Sequence, residues 1–168
     1  MEVQVVTSIS EPEIHRIWQL VSDIPDPEIP VISIGELGII RKVEHLDNHW
    51  KIVFTPTYSG CPATEMLIED ITKTMADEGY NDVDVVIQLD PAWTTDWIND
   101  ATKEKLRQYG IAPPDHKACM HTAINAHPAC PRCKSENTKL VSEFGSTACK
   151  AHFQCNECQE PFDYFKCI

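Results

Sequence analysis

The sequence predicts an α+β protein: a small mixed β-sheet packed with helices in the order α-β-β-α-β-α, followed by a small domain anchored by cysteines. Three observations carry this expectation. Apolar residues recur at helical spacing in some segments and alternate along others, so both periods occur in one chain of 168 residues. Of the eight cysteines, seven fall between Cys119 and Cys167, and only Cys61 stands apart. The charge divides at the same place. Residues 128–168 hold five basic and five acidic side chains, whereas residues 1–127 hold nine basic and 21 acidic ones and thus the whole net charge of −12.

The elements follow in order. Ser10 with Glu13 has the form of a capping box, and Ile14, Ile17, Trp18 and Val21 repeat at helical spacing behind it. Asp23 to Pro30 contains three prolines and is not regular helix. Ile39–Val43 and Trp50–Phe54 read as strands joined by a polar turn over Glu44–His49. Pro62 suits the first turn of a second helix that buries Met66, Leu67, Ile71 and Met75. Asp82–Leu89 places Val83, Val85 and Ile87 on one face of a third strand. A last helix over Thr95–Tyr109 stops at Gly110, and Gly110 to Asp115 has the composition of a turn and linker. The expected domains are therefore 1–114, a linker over 115–127, and 128–168.

The composition excludes several roles. A pI near 4.9 disfavours contact with phosphate backbones, so no nucleic-acid partner is expected. No stretch reaches the roughly 18 consecutive apolar residues of a membrane span, and no membrane partner is expected. The first ten residues, MEVQVVTSIS, lack the basic start and apolar run of a signal peptide, which gives a cytoplasmic expectation. Clustered thiols in a reducing compartment point to metal ligands rather than disulfides.

The strongest motif is Cys130-Pro131-Arg132-Cys133 with Cys155-Asn156-Glu157-Cys158. Each C-x-x-C puts two thiolates on one tight turn, and two such turns complete the tetrahedral all-sulfur site that zinc favours. The 21 residues between Cys133 and Cys155 suffice for a β-hairpin, the layout of a zinc ribbon. A 41-residue segment builds little core, so the metal supplies most of its folding free energy, on the order of 10 kcal/mol. Phe144, Phe153, Phe162 and Phe165 are expected to form one apolar face beside the site. A closed four-cysteine site reads first as structural zinc, one per chain; a redox dithiol or an iron–sulfur centre uses the same ligands. Cys149 and Cys167 are additional thiols that serve as buried apolar residues, substitute ligands or a second thiol pair. Cys119 reads as a linker thiol, and His121, His127 and His152 as surface or packing residues.

Two further features lie in the first domain. Cys61 follows a strand at the expected start of a helix, where the dipole and free N–H groups favour a thiolate; it is equally readable as a half-buried capping residue. Gly60 permits a sharp turn, and Thr55 and Thr57 add hydroxyls. Asp26-Pro27-Glu28 holds two carboxylates around a proline, able to bind a hard cation or to serve as a solvated cap. No glycine-rich phosphate loop and no Ser-His-Asp set are present, so the chain is not expected to be an enzyme by itself.

Asp26–Ile34, Leu37-Gly38-Ile39, and Thr55-Pro56-Thr57 through Cys61-Pro62 resemble the small domain of iron–sulfur assembly factors of the SufT type. Pro91–Ile98, Phe144–Ala151 and Glu160–Cys167 extend this over nearly the whole chain, to a resemblance to the PaaD family, also called PaaJ, of the bacterial phenylacetyl-CoA ring-epoxidase system. The resemblance implies an accessory protein of a multicomponent oxygenase, partnered with the oxygenase and reductase components and helping to mature or insert an iron or iron–sulfur centre. On it, Asp26, Glu28, Thr55, Thr57 and Cys61 fall on the assembly-domain motif, with transient iron or cluster as cargo, and Cys130, Cys133, Cys155 and Cys158 match the metal-binding tail. Lys134 departs from the glycine that many zinc knuckles carry after the second cysteine. A docking subunit with a purely structural zinc is the alternative, a thiol-dependent oxidoreductase a third reading, and a homodimer stays open.

Overall fold

A computed structural model describes residues 10–114 and 127–167. The chain forms two compact units: Met1–Pro56 with Pro62–Pro91, and Thr57–Cys61 with Ala92–Ile168.

The first unit holds helix α1 (Glu11–Ser22), strands β1 (Ile40–Leu46) and β2 (His49–Phe54), helix α2 (Thr64–Asp77) and strand β3 (Val83–Ile87). The strand order is β1-β2-β3, with β1 antiparallel and β3 parallel to β2. A parallel pair needs a crossover, and α2 provides it. β2 is the central strand, and Ile52, Val53 and Phe54 are buried along it. Ile17 and Val21 of α1 and Leu67, Ile71 and Met75 of α2 complete the core. Each such side chain contributes about 1.5–3 kcal/mol by leaving water.

Several boundaries differ from the sequence expectation, for local reasons. Asp47 and Asn48 take φ of 51° and 64°, the two left-handed positions of a type I′ turn, so the hairpin closes in two residues and both strands lengthen. Ser10 caps α1 only through its carbonyl, which accepts from Glu13 and Ile14 N–H. Glu13 instead accepts from Tyr80 Oη at 2.9 Å. The reciprocal S-x-x-E pair forms at Ser33 and Glu36: Ser33 N–H donates to Glu36 Oε2 at 3.0 Å and Glu36 N–H to Ser33 Oγ at 3.2 Å. Met66 points outward and is 53% exposed, because the buried stripe of α2 runs through Leu67, Ile71 and Met75. Ile87 is likewise exposed rather than aligned with a buried face.

The second unit begins with a short 3-10 turn at Thr95–Trp97. Helix α3 follows only at Asp100–Tyr109, because Asn99 Oδ1 accepts from Thr102 N–H and caps it there. Gly110 closes it at φ 95°. Strands β4 (Ile111–Ala112), β5 (Thr138–Ser142), β6 (Lys150–Cys155) and β7 (Pro161–Phe165) form a sheet ordered β4-β7-β6-β5. β5-β6 is the expected hairpin; β4 and β7 extend it, β4 lying parallel to β7. The last helix and β4 thus group with the C-terminal unit, earlier in the chain than the expected boundary at 114. Ala112, Cys130, Ala151, Phe153, Cys155, Phe162 and Tyr164 pack as one core. Phe144 is 63% exposed and Phe165 sits 6.0 Å from Trp93, so the four phenylalanines do not form a single face.

Candidate functional site

The four knuckle cysteines converge. Cys130 and Cys158 bring their sulfurs to 3.7 Å, Cys133 and Cys155 to 3.5 Å, and all four lie within 4.8 Å of one another. Sulfurs at the roughly 2.3 Å of a zinc–thiolate bond stand about 3.8 Å apart at the corners of a tetrahedron, so the spacing fits a single metal ion. Among the described residues this is the one grouping of three or more such side chains that can hold a metal.

The two knuckles are built alike. Cys130 N–H donates to Ser135 O and Cys155 N–H to Glu160 O, both at 2.9 Å. The residue after each second cysteine, Lys134 or Gln159, takes a left-handed φ of 66° or 64°. Glycine is absent from both positions, yet the turn keeps its form, and the backbone carries the strain. Cys130 and Cys155 are buried, Cys133 and Cys158 exposed.

The thiols do not ionise equally. Hydrogen bonds from the Cys158 and Glu157 backbone lower the Cys155 thiol to about 7. The Glu160 backbone pulls Cys158 the same way, but desolvation and the other three sulfurs outweigh it and push Cys158 up to about 12. Four thiolates this close need a cation to stay deprotonated together, which is the chemistry of a metal centre.

Contacts outside the ligands join the knuckles. Arg132, between the first two ligands, forms an ion pair with Glu160, two residues past the last. Asn137 Nδ2 donates to Glu157 Oε1 at 2.7 Å, and Asn156 Nδ2 donates to Asn137 Oδ1 at 2.8 Å. These partners escape sequence reasoning, because their types at these spacings are common on any polar loop.

The other expected site residues fall in two places. Asp26 is nearly buried, and its Oδ1 accepts from Glu28 N–H at 2.9 Å and Ile29 N–H at 2.8 Å, so the carboxylate organises its own loop rather than standing in solvent. Glu28 is half-buried. Thr55 is 1% exposed, its N–H donates to Ile39 O at 2.8 Å, and its hydroxyl has no hydrogen-bond partner among the described residues. A buried unsatisfied hydroxyl costs about 1–3 kcal/mol. Asp26, Glu28 and Thr55 belong to the first unit; Thr57 and Cys61 lie in the loop Thr57–Cys61, which groups with the second. Cys61 is half-buried and reduced, and its N–H donates to Tyr58 O at 3.2 Å. The helix after it starts at Thr64 with Ala63 as N-cap, so Cys61 stands two residues ahead of the cap and Pro62 is not a first-turn residue. The helix dipole therefore does little for a thiolate at Cys61, since its effect is confined to the first turn.

Cys149 is buried and reduced, with Thr147 Oγ1 at 2.9 Å from its sulfur. Cys167 is disulfide-bonded, not a thiol, and Tyr164 Oη donates to its sulfur at 3.9 Å. Neither adds a ligand to the four-sulfur site. His152 pairs with Asp163 at 3.2 Å and His127 is exposed. Cys119 and His121 lie outside the described residues.

Comparisons with known proteins follow the same division. Residues 14–85 match the family model described as "Iron-sulfur cluster assembly protein", and residues 115–166 match "PaaD zinc beta ribbon domain". The chain is 55% identical over 166 residues to a protein of Escherichia coli K12 named as a subunit of a "Putative 1,2-phenylacetyl-CoA epoxidase", covering 99% of this chain and 100% of that one. It is 30% identical over 86 residues to a "Fe-S protein maturation auxiliary factor" of Porphyromonas gingivalis, covering 50% of this chain and 81% of that one. A crystal structure of a DUF59 domain from Bacillus anthracis shares the fold at a TM-score of 0.53 and 23% identity, covering 57% of this chain and 92% of its own. With an assembly domain and a four-cysteine ribbon on one chain and a relative matched along its full length, this protein belongs to the PaaD family of phenylacetyl-CoA epoxidase subunits.

Proposed function

We propose that this chain is an accessory, non-catalytic subunit of a bacterial phenylacetyl-CoA epoxidase that assists maturation or insertion of an iron or iron–sulfur centre in the oxygenase or reductase components. The observation that carries the reading is the union, on one chain, of a segment matching iron–sulfur assembly proteins and a metal-site ribbon, matched end to end by a relative named as an epoxidase subunit. The relative named as a maturation factor covers 50% of this chain.

In this reading Cys61 is the thiolate that holds iron or a cluster as cargo. Its loop is short and contains Gly60, and the thiol is reduced and half-buried, so a ligand reaches it without unfolding the core. Asp26 shapes the loop that carries Glu28, and Thr55 offers a buried hydroxyl that no group among the described residues satisfies. Thr57 is on the Cys61 loop itself. The ribbon binds one structural zinc through Cys130, Cys133, Cys155 and Cys158 and presents a rigid surface to a client. The protein acts in the cytoplasm, on protein partners, with neither nucleic acid nor membrane; no helix among the described residues is long and apolar enough to cross one.

The test is metal and acid-labile sulfide per chain, for wild type and Cys61→Ser purified with and without air. Iron or sulfide present only without air and lost with Cys61 supports the reading. One zinc and nothing else in all four samples favours a docking role instead.

A further inference from the structure

We propose that the outer edge of β3 is a docking site for an extended segment of a partner polypeptide in which apolar residues alternate with lysine or arginine. Among the described residues β3 is the last strand of its sheet, with β2 as its one neighbour. Trp50 N–H donates to Asp82 O at 2.9 Å and Gln88 N–H to Phe54 O at 2.8 Å, so the even-numbered residues turn their backbone groups toward β2. These directions alternate along a strand, and the N–H and C=O of Val83, Val85 and Ile87 therefore point away from the sheet. No group among the described residues bonds to them. Natural edges are blunted by a lysine, a proline or a bulge; β3 has none of these, and its register with β2 is unbroken. No residue of β3 is fully buried, and Ile87 and the following Leu89 are 41% and 55% exposed.

The two faces of the strand specify the occupant. Val83, Val85 and Ile87 share the face of Trp50, Ile52 and Phe54, their buried partners on β2. Asp82 and Asp84 lie on the other face, where His49 holds both carboxylates, at 2.7 Å and 3.0 Å. An added strand alternates its side chains in the same way, so one set extends the apolar row and the other comes within reach of the two carboxylates. Positive charge suits that second set, because residues 74–91 hold five acidic side chains and no lysine or arginine. Lys51, opposite Asp84 on β2, lies on the inner side and not at the edge. A second copy of this chain fits less well. Edge-to-edge pairing would bring two pairs of aspartates onto adjacent strands, with each chain carrying −12.

The experiment adds a short synthetic peptide of alternating valine and lysine, capped at both ends, to the zinc-loaded full chain at low salt and reads hydrogen exchange amide by amide. The N–H groups of Val83, Val85 and Ile87 are expected to exchange about tenfold more slowly with peptide in excess, while those of Asp84 and Val86, already in the ladder, stay as they are. Replacing lysine by glutamate in the peptide is expected to abolish the effect. In the chain, Asp82→Asn with Asp84→Asn is expected to weaken peptide binding about three- to tenfold at low salt, with the gap closing as salt rises. Val85→Pro removes one outward N–H and no ladder bond, so it is expected to keep the fold and lose the peptide. Exchange at the three amides that millimolar peptide leaves unchanged overturns the proposal, as does equal protection by the glutamate peptide. Protection present without peptide that grows with protein concentration assigns the edge to a second copy and overturns it too. The wild-type chain decides these points even where a variant fails to fold, and neither iron traffic nor zinc binding enters the readout.

Discussion

Cys133 and Cys155 lie on different knuckles, separated by a hairpin in the chain, yet their sulfurs stand 3.5 Å apart. Two antiparallel strands deliver that closeness: β5 and β6 pair from Thr138 opposite Cys155 to Ser142 opposite His152. The strand register that ends at a ligand ties the metal site to the aromatic core, since Cys155 and Phe153 belong to one cluster.

Removing the metal should therefore dissolve the ribbon. With a site of this kind supplying on the order of 10 kcal/mol, Cys155→Ser or an excess of chelator is expected to abolish the amide protection of β5–β7. The strands of the first unit, whose core is apolar and holds none of the four ligands, are expected to keep theirs. Hydrogen exchange resolved by segment checks both halves of the statement.

The left-handed residues of the knuckles give a second test. Lys134 at φ 66° carries backbone strain that glycine relieves, so Lys134→Gly should stabilise the ribbon by up to about 1 kcal/mol. Part of this is offset by the freer unfolded chain and by the lost bond from Lys134 Nζ to Pro131 O at 3.2 Å. Lys139→Gly, in strand β5, should instead destabilise by about 0.5–1 kcal/mol. Denaturant titration of the zinc-loaded chain compares the two signs.

Close approach rather than conformation governs Gly35. A Cβ there would fall 2.5 Å from Ser22 Cβ and 2.8 Å from Ser22 O, while Gly35 N–H donates to that same carbonyl at 3.0 Å. Gly35→Ala is expected to cost about 1–3 kcal/mol by pushing the loop off the end of α1. A shift in urea midpoint with unchanged slope measures it.

His49 gives the first unit a pH dependence. Its Nδ1 lies 2.7 Å from Asp82 and its Nε2 3.0 Å from Asp84, and hydrogen bonds to Asp82 first and Asp84 second raise its pKa above 6.5. A raised folded pKa means that the stabilisation is complete below the unfolded value and fades as pH climbs through the folded one. Wild type should lose stability relative to His49→Gln on going from pH 6 to pH 9. A difference constant across that range contradicts the assignment.

Much of this was legible from residue patterns, and the misses have identifiable causes. The stripes Ile17/Val21 and Leu67/Ile71/Met75 mark buried helix faces because a 3.6-residue period with few interruptions has no other reading. The two C-x-x-C pairs were legible because thiols at that spacing rarely have another use. The S-x-x-E pattern at Ser10/Glu13 recurs at Ser33/Glu36, and the reciprocal bonds form at the latter, since Tyr80 from distant sequence claims Glu13. Strand β4 is two residues long and exists only by pairing with β7, some fifty positions away, which no local period records. Thr55 and Cys61 were singled out by type and place, but the buried state of the Thr55 hydroxyl and the two-residue offset of Cys61 from the helix cap are tertiary facts.

The most direct test of the account is the iron content of the oxygenase and reductase components produced in cells alongside this chain, either as wild type or as Cys61→Ser. The account predicts that Cys61→Ser still folds, still binds zinc in its ribbon, and yields partner components depleted in iron. Partner components fully loaded with iron beside a folded, zinc-replete Cys61→Ser chain contradict it.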